Sequence, residues 1–157
     1  MREPPRVGLG FDVHARGEGR PLWLGGLRFE GEDGLRGHSD GDAVCHALAD
    51  ALLGAAALGD IGTHFPDTDP AIAGIPGVDL LARTTALVRD AGFAVASCDV
   101  TVICERPAVA PRRDEMRAAL AAAIGLDPSS VSVKATRPEG LGLAGDGAGC
   151  LAIAVLS

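Results

Sequence analysis

The chain predicts an α/β (α+β) domain in which one mixed sheet is covered by helices. Segments with apolar residues at period two alternate with segments at helical spacing, and Gly stands at the end of each helical one. Hydrophobic residues make up 47% of the sequence but aromatic ones only 3%, with 22 Gly. A core of Ala, Val, Leu and Ile packed around small residues suits helices seated closely on a sheet. At 157 residues the chain closes one core and is too short for two, so 1–157 reads as a single domain.

Arg6 to His14 alternates, apolar at Val7, Leu9, Phe11 and Val13, as a strand does. PLWLGGLRF reads as two short strands meeting at Gly25-Gly26. A helix is expected from Ser39 or Asp40, either of which can cap it, to about Leu58, with Val44, Ala47, Leu48, Ala51, Leu52 and Ala55 on one face and Gly59 as the stop. DIGTHFPDTDP has no period and reads as a polar ligand loop. Helices follow over Val78–Ala91 and Pro111–Ile124, stopped by Gly92 and Gly125. Ala94 to Cys104, Val131 to Thr136 and Cys150 to Leu156 read as strands, the last apolar on both faces and so central.

A formal net charge of -7 argues against nucleic acid as a partner, because the overall field repels phosphate. Apolar runs stop after about ten residues, too few for a membrane span. The start, MREPPRVGLG, has charges and prolines where a leader needs apolar residues, so a cytoplasmic location is expected. Cys45, Cys98, Cys104 and Cys150 form no CxxC pair and read as core thiols in a reducing compartment.

Asp12 and His14, two apart on a strand, aim a carboxylate and an imidazole at one point. His46, in the first turns of the next helix, can bring a third ligand and leave one position open, the pattern of a catalytic zinc site. Asp42 and Asp50, one turn to either side of His46, are candidates to hold its second ring nitrogen. His38-Ser39-Asp40-Gly41-Asp42 precedes the same helix, where a helix N-terminus binds anions. Contiguous side chains cannot form a serine-hydrolase triad. Lys134 to Glu139 offers a second wall of hydroxyl, cation and carboxylate, while the absence of GK[ST] and of a third helix-opening glycine excludes Walker and dinucleotide loops.

Read in order, GLGFDVH, GHSDGDAVCHALADALLGAAALGDIG, FPDTDP, DVTVI and VKAT resemble the 2-C-methyl-D-erythritol 2,4-cyclodiphosphate synthase family of the non-mevalonate isoprenoid pathway. The resemblance implies a cytoplasmic lyase in which the 2-phosphate of 4-diphosphocytidyl-2-C-methyl-D-erythritol 2-phosphate attacks the β-phosphorus and CMP leaves. It implies a homotrimer with its sheets around a central axis and active sites shared between neighbours. Asp12, His14 and His46 would hold zinc, and Glu139 a magnesium or manganese ion bridging the diphosphate. His38 and Ser39 would orient the attacking phosphate. Asp60, Ile61 and Gly62 would meet the ribose, and Phe65, Pro66, Asp67, Thr68 and Asp69 would cover the methylerythritol part. Cys104, Glu105, Arg106, Pro107, Ala108, Val109 and Ala110 would line the cytosine pocket, with Thr136 and Pro138 beside the phosphates.

Several positions in the second half depart from the family pattern, three of them with a chemical consequence. Ala108 stands where the family has lysine, Arg137 where it has a threonine taken to steady the transition state, and Asp146, after Leu143, where it has an arginine facing the trimer's axial cavity. Arg137 is placed to return the lost cation by a longer arm. Two other readings compete with the cyclase: a zinc-binding trimeric paralogue with weakened or lost activity, and a zinc-dependent phosphohydrolase.

Overall fold

The first strand, β1 (Arg6–Leu24), is 19 residues long and changes partner on the way. The computed structural model describes residues 4–157, so Met1, Arg2 and Glu3 of the opening stretch MREPPRVGLG lie outside the described residues. The predicted strand from Arg6 and the predicted strand before Gly25 are one element. Its first half pairs antiparallel with β5 (Gly147–Leu156) and its second half with β2 (Leu27–Leu35). The partner changes between Ala15 and Arg16, and register irregularities between Gly17 and Leu22, just inside the β2-paired half, hide the period in the sequence. Gly25 and Gly26, at φ 59° and 78°, make the tight turn to β2 that side chains with a Cβ resist.

The helix carrying His46, α1 (Ala43–Ala55), is shorter at both ends than expected. Its cap is Asp42 rather than Ser39 or Asp40. It stops before Ala57, which turns left-handed at φ 58°. The polar segment after it is ordered into the single turn α2 (Ile61–His64) and a 3-10 turn at Pro70–Ile72, capped by Asp60 and Asp69. α3 (Gly77–Asp90), β3 (Val95–Cys104), α4 (Arg113–Ile124) and β4 (Val131–Thr136) fall close to the predicted bounds, and Gly125 ends α4 at φ 73°. β5 starts three residues earlier than expected because Gly147–Gly149 of the glycine-rich run still pair with β1.

Strand order is β2-β1-β5-β3-β4, antiparallel except for the β3–β4 pair, whose crossover is α4. β5 is central, as its apolar content implied. The helices lie on one face only: Ala148, Cys150, Ala152 and Ala154 of β5 are buried against α1, and Leu120, Ile124 and Met116 of α4 close the core at its far end. On the other face Leu9 pairs across from Ile153 and Phe11 from Leu151, and with Val7 and Val13 they form an exposed apolar band that no helix among the described residues covers.

α1 reaches the sheet because β1 carries no side chain where they touch. A Cβ on Gly10 would lie 1.8 Å from the Ala47 carbonyl oxygen, and one on Gly8 would lie 2.0 Å from that of Ala51. Both obstacles are helix backbone, which cannot step aside without moving α1. Gly10→Ala is therefore expected to destabilise the fold by about 2 kcal/mol or more in urea denaturation. Gly142→Ala, with open space around its Cβ position, should change stability by less than about 0.5 kcal/mol.

Candidate metal centre

β1 continues past Gly8 and Gly10 with Asp12 and His14 on the same side, facing α1. His46, one turn into α1, meets them there. His14 Nε2 lies 2.6 Å from Asp12 Oδ2, His46 Nδ1 lies 3.2 Å from the same oxygen, and the two ring nitrogens are 3.3 Å apart. Among the described residues this is the one group of three or more metal-ligating side chains with their donor atoms together.

The donor set fits a divalent cation. Ligand atoms on a tetrahedral zinc ion with bonds of about 2.0–2.1 Å stand about 3.3 Å apart. Two of the three separations already have that value, and only Asp12 and His14 must part. Burial works to raise the Asp12 carboxyl, but hydrogen bonds from His14 and His46 and their charges outweigh it and bring it down to about 2. The group is thus an anionic ligand across the physiological range. The His14 ring is pushed the other way, above its ordinary 6.5, chiefly by its hydrogen bond to Asp12.

The second nitrogen of His46 is held by Ser39, whose Oγ lies 2.9 Å from Nε2. Neither candidate carboxylate does this. Asp50 Oδ1 accepts the Ile61 N–H at 2.8 Å and fixes α2. Asp42, fully buried, accepts from the N–H groups of Gly25, Gly26, Val44 and Cys45 and from the Cys45 thiol, tying the β1–β2 turn to α1. With Asp42 seated on these donors, the start of α1 is not the open anion site that the sequence suggested. The His38-Ser39 turn is clamped instead by Arg20, whose guanidinium donates to the Gly37 and Ser39 carbonyls at 2.9 and 2.5 Å.

A cleft of about 410 Å³ opens over the cluster. Of the residues singled out in the sequence, Asp12, His14, His38, Ser39, His46, Ile61, Gly62, Phe65, Pro66 and Asp67 line it. Asp60, Thr68 and Asp69 do not; Asp60 and Asp69 spend their carboxylates on caps. Ile72, Ile75 and Leu80 form an apolar wall that the sequence reading missed, since the first two sit in an aperiodic stretch with no local signal.

A second cavity, about 160 Å³, is lined by Cys104, Pro107, Ala108, Val109, Ala110, Ala135, Thr136 and Arg137. Glu105 and Arg106 lie outside its lining: Glu105 accepts the Gly140 N–H at 2.9 Å, and Arg106 pairs with Glu32 at 3.4 Å. Pro138, Glu139, Leu143 and Asp146 line neither cavity, and Glu139 sits at the tip of a turn at φ 53°. Within one chain the metal cluster and the segment from Cys104 to Arg137 therefore belong to separate cavities. A broader groove of about 480 Å³ near Arg113, Arg117 and Ser130 holds neither carboxylate nor imidazole.

Residues 5–157 match the YgbB family. The bifunctional enzyme IspD/IspF of Anaeromyxobacter sp. (strain Fw109-5) is 53% identical over 155 residues, which are 99% of this chain and 40% of that protein. The chain thus spans about two fifths of the length of such relatives. The 2-C-methyl-D-erythritol 2,4-cyclodiphosphate synthase of Syntrophobacter fumaroxidans (strain DSM 10017 / MPOB) is 53% identical over 151 residues, 96% of this chain and 95% of that one. A solved 2C-methyl-D-erythritol-2,4-cyclodiphosphate synthase with CDP bound superposes with a TM-score of 0.89 at 37% identity, covering 97% of this chain and 100% of its own.

Two outcomes follow from the ligand geometry. Arg20→Ala should weaken zinc binding by about 10- to 100-fold in chelator competition, because the turn that holds Ser39 against His46 loses its clamp. Because the ring of His14 must shed its proton to bind a metal, and its affinity for that proton is raised, protons compete with metal already above pH 6.5. Zinc affinity should fall as pH drops through that range, with proton release on zinc binding detectable near neutrality by calorimetry in buffers of different ionisation enthalpy. A heat independent of buffer would contradict it.

Proposed function

The chain belongs to the YgbB family, and on that premise we propose that it converts 4-diphosphocytidyl-2-C-methyl-D-erythritol 2-phosphate to 2-C-methyl-D-erythritol 2,4-cyclodiphosphate with release of CMP, as a phosphorus–oxygen lyase of isoprenoid precursor synthesis. The observation that carries this is the Asp12, His14 and His46 cluster at the floor of a cleft with one polar and one apolar wall. Zinc held there would supply Lewis acidity toward a phosphate oxygen. His38 and Ser39 stand beside it to hold and orient the attacking phosphate. Phe65, Ile72, Ile75 and Leu80 give the carbon skeleton an apolar surface and keep water from the reacting phosphorus. Asp60, Thr68 and Asp69 act through the folding of the loop rather than by lining the cleft.

The smaller cavity from Cys104 to Arg137 takes the cytidine. It has Ala108 and Arg137 together in its lining, so the guanidinium can serve where the resembling family carries a lysine. CDP is held by the solved relative, and a cytidine diphosphate group is assigned here on that likeness. Glu139, exposed at its turn, would hold the magnesium or manganese ion.

The separation of the two cavities within one chain favours a homotrimer in which the metal half of one subunit faces the cytidine half of the next. The uncovered apolar band of Leu9, Phe11, Leu151 and Ile153 supports the same assembly, with the three sheets turned inward.

Incubation with the cytidine diphospho substrate and magnesium should yield CMP and the cyclic diphosphate in equal amounts. No turnover would favour the zinc-binding paralogue, and a ring-opened phosphate the hydrolase. Mixed trimers of His46→Ala and Arg137→Ala subunits, each inactive alone, should recover about a quarter of wild-type activity, the share of sites that receive two intact halves. No recovery would sink the shared-site reading.

A further inference from the structure

We propose that Ser39 is a switched hydrogen-bond donor: occupation of the metal site turns its hydroxyl from the His46 ring toward the anion in the cleft. This rests on the reading that the cleft receives a phosphorylated ligand.

The buried His46 ring is engaged at both nitrogens, Nε2 with Ser39 Oγ at 2.9 Å and Nδ1 with Asp12 Oδ2 at 3.2 Å; His14 Nε2, 3.3 Å from Nδ1, makes its own shorter contact, 2.6 Å, to that same Asp12 oxygen. A neutral imidazole has one proton for these two positions. In the metal-free protein the carboxylate of Asp12, which only accepts, takes that proton's hydrogen bond at Nδ1. Nε2 is then a lone pair, and the Ser39 hydroxyl must donate to it.

A cation among Asp12, His14 and His46 claims the Nδ1 lone pair. The ring proton then sits on Nε2 and donates to Ser39 Oγ. That oxygen also accepts the Gly41 N–H at 3.3 Å, so both of its lone pairs are taken and its own proton must find an acceptor elsewhere. Ser39 lines the cleft beside His38, Asp12 and His14, and a phosphate oxygen there is an acceptor with no proton of its own. Arg20 fixes the Ser39 carbonyl, which holds the backbone of this turn in place. The exchange moves one proton within the ring and takes none from solvent. Metal and anion thus bind cooperatively through Ser39, beyond their direct attraction.

The test uses zinc and inorganic sulfate, a tetrahedral dianion standing in for phosphate. Zinc affinity is measured by chelator competition with and without sulfate, corrected for sulfate's effect on free zinc. In the wild type and in Ser39→Thr, sulfate should tighten zinc binding about tenfold more than it does in Ser39→Ala. Equal tightening in all three overturns the proposal. Independently, two-bond nitrogen–proton correlations of the His46 ring should place its proton on Nδ1 without zinc and on Nε2 with it. A proton on Nε2 in both states overturns the proposal even if Ser39→Ala fails to retain zinc. These readouts are separate from turnover: absent CMP release with the coupling intact would remove the cyclase reading and leave the switch, and the converse would remove only the switch.

Discussion

Where α1 crosses β1, the strand presents the bare backbone of Gly8 and Gly10 to the carbonyl oxygens of Ala51 and Ala47, closer than any side chain would permit. That contact sets the depth of α1 over the sheet. Residues two and four places further along β1 are Asp12 and His14, and the turn of helix directly above them carries His46. A metal centre tolerates errors of a few tenths of an ångström. Its span here is fixed by a glycine-for-backbone fit rather than by the three ligands themselves. Alanines along α1 and β5 extend the same close packing across the sheet, which explains how so few aromatic residues suffice for the core.

A second group of contacts orients what the first brings near. The fully buried Asp42 would be costly as an isolated charge, but five donors converge on it from the β1–β2 turn and the first turn of α1. Arg20, reaching from the far half of β1, grips the carbonyls on either side of His38. Ser39 is left with its hydroxyl on His46 and its edge in the cleft. The polar residues of GHSDGD thus divide by depth: Asp42 builds the framework, Asp40 joins it to the start of α3 by accepting the Gly77 N–H, and His38 and Ser39 line the cleft.

The molecule is finished on one side of its sheet and open on the other. Helices bury the face that carries Ala148 to Ala154 of β5, whereas among the described residues Leu9, Phe11, Leu151 and Ile153 stay exposed on the other. An apolar band of that kind is a surface for association. The proposed trimer uses it, and at the same time brings together two cavities that a single chain keeps apart.

Local spacing in the sequence determined which residues share a face. The period of two in β1 placed Asp12 and His14 side by side, helical spacing with glycine stops gave α3 and α4 nearly to the residue, and the doubly apolar β5 fell at the centre of the sheet. Tertiary structure alone decided which side chain meets which across the fold. Asp42 and Asp50 had helical spacing to reach His46, yet Asp42 serves backbone donors and Asp50 the start of α2, while Ser39 takes the ring. The continuous β1 was masked by its irregular middle, and Ile72 and Ile75 became a cleft wall only when an aperiodic loop folded back. The physical reason is that periodicity reports the orientation of a residue on its own element, whereas a hydrogen bond or a cavity wall depends on the distance between elements, which packing sets.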